Sequence, residues 1–279
     1  MSDANNSEPG PRTGRGLPFL REVPIRVLAP NLVTVVALCS GLTAIRLSLE
    51  GQLQWALAAI IFAAILDGVD GRLARFLKGT SRFGAELDSL TDFVNFGVAP
   101  AILLYTWLLK DAGSLGWVVC LLFAIACALR LARFNVALDD PNKPAWSGNF
   151  FTGIPAPAGA IVALLPVYIE LWGVPHAYFP AVLVMPYTLA IAFLMVSSIP
   201  IFSGKNSGST SIGRDKIVFL LAGVAAYLAL LVSYPWPVMT VCTLLYLGTI
   251  PLSMRKHAEL SKADAARAAA PADPAGPGN

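Results

Sequence analysis

The 279-residue chain reads as an all-α integral membrane protein of about eight transmembrane helices, and three observations lead there. Hydrophobic residues make up 56% of the sequence and charged ones 13%, where a soluble domain carries about 25% charged. The apolar residues run in unbroken stretches of about 20, the length a helix rising 1.5 Å per residue needs to cross the hydrocarbon. They do not alternate with polar residues, which excludes the strands of a membrane barrel. Finally, Lys and Arg collect in every second connecting segment, as they do in loops on the cytoplasmic side. The net charge of only +3 gives no reason to expect a nucleic-acid partner.

Residues 1–16 are polar and rich in Gly, Pro, Asn and Ser, a composition that cannot order itself by burial, and they are expected to form a disordered N-terminal tail. In residues 17–29, Leu17, Phe19, Leu20, Val23, Ile25, Val27 and Leu28 are interspersed with Arg21 and Arg26, which suits a juxtamembrane segment on the inner headgroup surface. The transmembrane domain is expected over 30–256. Its spans fall at about 30–49, 52–71, 90–109, 115–134, 154–173, 178–200, 217–234 and 236–254. Residues 257–279, which end in Ala, Pro, Asp and Gly, form a second disordered tail. With the N-terminus cytoplasmic, all of the 20 basic residues except Arg46 and Lys110 lie inside, so both termini are expected in the cytoplasm. The first apolar run starts too late for a cleavable signal peptide. Cys39, Cys120, Cys127 and Cys242 fall inside spans without CxxC spacing or histidine partners, and read as small buried hydrophobes. Trp55, Trp117, Trp172 and Trp236 sit near span ends, as an interfacial aromatic belt does.

The chemistry is concentrated in residues 67–92. Each carboxylate placed at membrane depth costs about 2.5–3.5 kcal/mol on insertion scales, and this stretch holds Asp67, Asp70, Asp88 and Asp92. On a helix the first two stand about 60° apart around the axis and the last two about 40°, so each pair faces one way. The polar run from Lys78 to Arg82 provides a turn at the cytoplasmic surface, which returns the second helix antiparallel and gathers all four acids just below the inner interface. So much negative charge calls for hard cations. Two divalent ions balance four carboxylates, and an all-oxygen ligand set points to Mg²⁺, Mn²⁺ or Ca²⁺. Gly71, Ala74 and Gly84 leave room for a flat base or a phosphate to approach the backbone. Arg75, two turns beyond Asp67, offers a cation to the far side of a bound pyrophosphate. Arg72, Lys78 and Arg82 read as solvated inner-face charge, and Asp139, Asp140 and Asp215 as loop acids.

The string DGVDGRLARFLKGTSRFGAELDSLTD fits DxxDGxxARx8Gx3Dx3D at all eight specified positions. It resembles the signature of the CDP-alcohol phosphotransferases, whose membrane-embedded fold has six core helices, here extended by two. LRLARFN (129–135), FTGIPAPAGA (151–160) and MVSSIPIFSGK (195–205) resemble the branch of that family in bacteria whose acceptor is serine. The resemblance implies an enzyme of the inner membrane, its site facing the cytoplasm, that transfers the phosphatidyl group of CDP-diacylglycerol to L-serine and releases CMP. It further implies two Mg²⁺ or Mn²⁺ ions, a homodimer, metal ligation by Asp67, Asp70 and Asp88, and proton abstraction by Asp92, which also touches the second ion. Gly71, Ala74, Arg75 and Gly84 would then bind the CDP-lipid. Arg130, Arg133, Asn135 and Lys205, at inner span ends, are candidates to bind the acceptor's carboxylate. Sister enzymes using glycerol 3-phosphate, inositol phosphate or choline share the acidic signature. A membrane prenyltransferase would place its two acidic motifs far apart in sequence, and an ion-coupled carrier would account for the acids but not for the Gly, Ala and Arg between them.

Overall fold

The computed structural model describes residues 25–138, 150–197, 199–202 and 214–269. Helix α1 (Ile25–Leu49) and helix α2 (Leu53–Phe76) form an antiparallel hairpin through a tight turn at Gly51. After a second turn, α3 (Arg82–Asp92) passes through one π-helical turn (Phe93–Val98) into α4 (Ala99–Trp107), so that 82–107 is one continuous helical element. Then come α5 (Ser114–Leu138), α6 (Ala156–Ala163), α7 (Leu165–Leu171), α8 (Ala181–Val196), α9 (Arg214–Ser233) and α10 (Pro235–Ala269).

Among the described residues five stretches are long and apolar enough to cross a bilayer: Leu28–Leu49, Leu53–Phe76, Arg82–Trp107, Ser114–Ala137 and Pro235–Ser253. Two of the three remaining expected spans differ in form, while the one at 217–234 corresponds to α9 (Arg214–Ser233). The one placed at 154–173 is divided into α6 and α7 at Leu164, because Pro166 in the first turn of α7 has no N–H for the helical ladder. That placed at 178–200 is helical only from Ala181 to Val196. Its end instead enters β2 (Pro200–Phe202), which pairs antiparallel with β1 (Phe150–Thr152), Phe151 opposite Ile201. This two-stranded ladder is an addition to the expected all-α fold.

Several helices also overrun their apolar cores. The second continues past 71 to Phe76, and the third begins at Arg82, not 90. Charged residues bounded the apolar run in both cases, Arg72 after the second span and Asp88 before the third, without ending the helix. Likewise α10 continues through 257–269, expected as the start of a tail. The N-terminal tail and residues 17–24 of the juxtamembrane segment lie outside the described residues, while 25–29 form the first turns of α1.

The core lies where α1, α2, α4, α5 and α8 converge, and is filled by Leu57, Ile60, Phe96, Leu103, Leu104 and Phe123. Large apolar side chains such as Phe62, Leu122, Phe193 and Leu244 point outward, the arrangement expected of surfaces that meet lipid. Close packing on the site side needs a small residue at Gly41, because a Cβ there would overlap the buried side-chain amide of Asn95 on the π-helical turn.

At the end of the bundle remote from the acids, Glu170 ties three elements together. One carboxylate oxygen accepts from the Trp107 indole N–H at 2.6 Å and meets His176 Nδ1 at 2.7 Å. The His176 and Trp107 rings stand edge to face at 5.5 Å. Truncation of Glu170 to Ala leaves the half-buried indole donor unpaired and is expected to cost about 1–3 kcal/mol of stability. Thermal unfolding in detergent checks this, with no change expected in ligand binding at the opposite end.

Candidate metal and nucleotide site

The acids meet because two helices that carry them are joined by a short, well-capped turn. Helix α2 ends at Phe76, the backbone reverses over Leu77–Ser81, and Lys78 takes a positive φ of 49°. Ser81 then caps α3, its hydroxyl oxygen accepting from the Gly84 N–H at 3.0 Å. The returning helix therefore presents Asp88 to Asp67 and Asp70. One carboxylate oxygen from each of these three acids lies within 4.8 Å of the others.

Helix α1 supplies support for the group that the acidic signature does not contain. Buried Thr34 donates its hydroxyl to Asp70 Oδ2 at 2.8 Å and also approaches the carbonyl of Pro30 at 3.1 Å. Thr34, Asn31, Gly71, Ala74, Arg75 and Gly84 line one cavity of about 350 Å³, with Asp70 and Asp88 in its wall. All four residues expected to receive the CDP-lipid thus border a single space beside the acids. Gly84 is needed here on steric grounds, since a Cβ at that position would lie 2.7 Å from Asn31 Oδ1. Asn31 and Thr34 escaped the sequence reading, although two polar residues one turn apart at the start of an apolar span were a signal.

Asp92 stands outside the group of three. It lies one helical turn further along α3, within interaction distance of Asp67 and Asp88, and its Oδ1 is buried with no hydrogen-bond partner. Arg130 of α5 lies near Asp92 and Asp67, and its guanidinium sits 5.2 Å from the centre of the Phe134 ring. The other acceptor candidates are placed differently. Arg133 Nη1 donates to the Val196 carbonyl at 2.6 Å, fastening α5 to the end of α8. Asn135 Nδ2 donates to Ser89 Oγ at 2.9 Å, which braces the acidic helix from α5. Lys205 falls outside the described residues.

The donor set fits a hard divalent cation. Three oxygen ligands on one ion with bonds of 2.0–2.6 Å stand about 3–5 Å apart, and the three carboxylates already have that spacing. The unpartnered oxygen of Asp92 offers a further acceptor next to them. Thr34 holds Asp70 in orientation, and loss of such a supporting bond lowers metal affinity about 10–100-fold. Thr34→Val is therefore expected to weaken Mn²⁺ binding by about tenfold in a calorimetric titration, with the fold unchanged.

Fold and site together define a helical integral membrane protein able to hold a divalent cation between two of its membrane-length helices, beside a cavity of nucleotide dimensions. The chain belongs to the CDP-alcohol phosphatidyltransferase family, whose model matches residues 27–198, and a second model, CDP-alcohol phosphatidyltransferase 2, matches 217–251. It is 40% identical to the CDP-diacylglycerol–serine O-phosphatidyltransferase of Mycobacterium tuberculosis, across 87% of this chain and 83% of that one. Identity to the Mycobacterium leprae protein of the same description is also 40%, across 85% of this chain and 77% of that one. The archaetidylserine synthase of Methanothermobacter thermautotrophicus is 34% identical, across 62% of this chain and 69% of its own.

Proposed function

We propose that the protein transfers the phosphatidyl group of CDP-diacylglycerol to the hydroxyl of L-serine and releases CMP. The observation that carries this reading is the convergence of Gly71, Ala74, Arg75 and Gly84 on one cavity walled by two of the clustered acids. Identity to serine-using relatives over most of the chain supports serine as the acceptor.

In this reading Asp67, Asp70 and Asp88 hold one divalent cation, and Asp92 helps them to hold a second; Mg²⁺ or Mn²⁺ suits such ligands. When bound, these ions supply neutralisation of the pyrophosphate's charge. The chain's own residues do the rest. The open backbone at Gly71, Ala74 and Gly84 admits the CDP moiety, with the Asn31 side chain at its edge, and Arg75 faces the phosphates. Asp92 accepts the proton of the serine hydroxyl as its oxygen attacks the phosphorus carrying the diacylglycerol. The new bond is serine oxygen to phosphorus; the bond broken joins that phosphorus to the oxygen that departs with CMP. Positioning and fixed charge provide most of the rate.

The membrane arrangement that suits this chemistry has eight spans with both termini in the cytoplasm, the acids near the inner face of a bacterial inner membrane, and a homodimer as the assembly. The lipid tails then reach the site sideways from the bilayer while serine arrives from the cytoplasm. Purified protein in detergent with CDP-diacylglycerol and Mn²⁺ should release CMP when L-serine is added, with phosphatidylserine formed in equal amount. CMP release that depends instead on glycerol 3-phosphate, inositol phosphate or choline would overturn the serine assignment.

A further inference from the structure

The turn that joins the two acid-bearing helices carries more positive charge than the cavity beside it uses. From Gly71 to Ala85 the sequence holds Arg72, Arg75, Lys78 and Arg82 and no acid. All four are exposed, and among the described residues none of them forms an ion pair within 4.0 Å. Arg75 borders the cavity, whereas Arg72, Lys78 and Arg82 do not. Helix geometry keeps Arg72 from the metal ligands, because it stands about 200° round the axis of α2 from Asp70. The exposed cation near the end of α1 is treated differently: Arg46 Nε lies 2.9 Å from a carboxylate oxygen of Glu50, one turn on.

Two further features single out this turn. Phe76 and Phe83, one on either side of it, are 82% and 70% exposed. They stand where the membrane-length stretches Leu53–Phe76 and Arg82–Trp107 end and begin, at the boundary between headgroups and acyl chains where such rings are at home. Lys78 meanwhile holds a φ of 49°, a left-handed backbone that favours glycine. Backbone strain kept at a surface position points to a use for the side chain that sits there.

We propose that Arg72, Lys78 and Arg82, together with Phe76 and Phe83, form a collar that binds the headgroups of anionic phospholipids beside the cavity. The two chemistries are complementary. Unpaired guanidinium and ammonium groups meet lipid phosphates, while the two rings enter the apolar layer just beneath them. Each Lys or Arg close to an anionic membrane surface strengthens the attraction about fivefold. Gly79, Thr80 and Ser81 of the same turn line the cavity, so lipid held on the collar steadies the segment that shapes its entrance. This contact does not depend on the reaction assigned above.

The test adds phosphatidylglycerol, which is anionic, or phosphatidylcholine, which is zwitterionic, to the purified full-length protein in dodecyl maltoside micelles and follows thermal unfolding. Phosphatidylglycerol should raise the midpoint by about 3 °C or more above the value with phosphatidylcholine. Salt at about 0.5 M should remove most of that difference. The triple variant Arg72→Gln, Lys78→Gln, Arg82→Gln should unfold at the parental temperature without lipid, because these exposed groups make no ion pair, and should lose most of the rise. Lys78→Gly alone should unfold no lower than the parent, since glycine relieves the left-handed backbone, yet gain less from phosphatidylglycerol. Arg255→Gln with Lys256→Gln removes two cations that follow the last membrane-length stretch, and should keep the parental rise. Equal rises with the two lipids in the parent, an undiminished rise in the triple variant, or an equal loss in the Arg255 and Lys256 variant would overturn the collar. CMP release has no part in this readout, so its failure leaves the transferase reading standing, and failure of that reading leaves the collar.

Discussion

Asp92→Asn is expected to abolish serine-dependent CMP release, by about 10³-fold or more in kcat, while the protein still binds a divalent cation and CDP-diacylglycerol. The reasoning is local. Asparagine keeps the size of the side chain but cannot accept a proton, and the acceptor's hydroxyl is a poor nucleophile until its proton is removed. Asp67, Asp70 and Asp88, the three acids that approach within 4.8 Å of one another, are untouched by the change. Asp92 lies beside Asp67, one helical turn beyond Asp88, and its Oδ1 is buried without a hydrogen-bond partner, so no hydrogen bond of that atom is lost. Calorimetry should therefore still show Mn²⁺ at the site of Asp67, Asp70 and Asp88, with any weakening confined to a second ion, and a nucleotide-binding assay should give a nearly parental value alongside the missing turnover. Normal turnover by the variant would remove Asp92 from the role of base.

The local part of the site was legible because helical geometry and short spacings dictate it. Asp67 and Asp70 share a face at i, i+3, Asp88 and Asp92 at i, i+4, and a polar stretch between them has to turn. The structure places that turn at Leu77–Ser81 and brings the first three acids together. Contacts between distant helices were less legible. Thr34 and Asn31 reach the site only because α1 packs across both α2 and α3. Arg133 and Asn135 share the polar end of α5 with Arg130, and nothing in their spacing distinguishes the three. In the structure one is bonded to the Val196 carbonyl, another to Ser89, and Arg130 alone of these faces the acids. Boundaries failed for a different reason. Apolar length locates the lipid-crossing part of a helix, whereas hydrogen bonding carries α2 to Phe76 and starts α3 at Arg82, into the polar stretch between Arg72 and Asp88. The ladder of β1 and β2 is three residues on each side, too short for an alternation to register.

Removal of divalent cations is the other change expected to silence the protein completely. With Asp67, Asp70, Asp88 and Asp92 close together and no acid of the cluster ion-paired within 4.0 Å among the described residues, mutual repulsion has to be relieved either by cations or by protonation. Protonation would disable the proton acceptor and leave the pyrophosphate's charge unopposed, so a chelated sample should release no CMP even at saturating substrate. Mg²⁺ or Mn²⁺ added back should restore activity, and Zn²⁺, which favours nitrogen and sulfur ligands, should do so poorly. Asp88→Asn makes the same argument from the protein side. One ligand of the group of three loses its charge, so the cation concentration for half-maximal activity should rise by about 10-fold or more, while Asp92→Asn moves kcat instead. Calorimetric titration of the Asp88 variant with Mn²⁺ separates weakened binding from loss of fold, because its thermal unfolding without metal should be no lower than that of the parent. Relief of like-charge repulsion makes even a small rise in that temperature the expected direction. Turnover that survives exhaustive chelation would show that the acids serve some purpose other than holding metal.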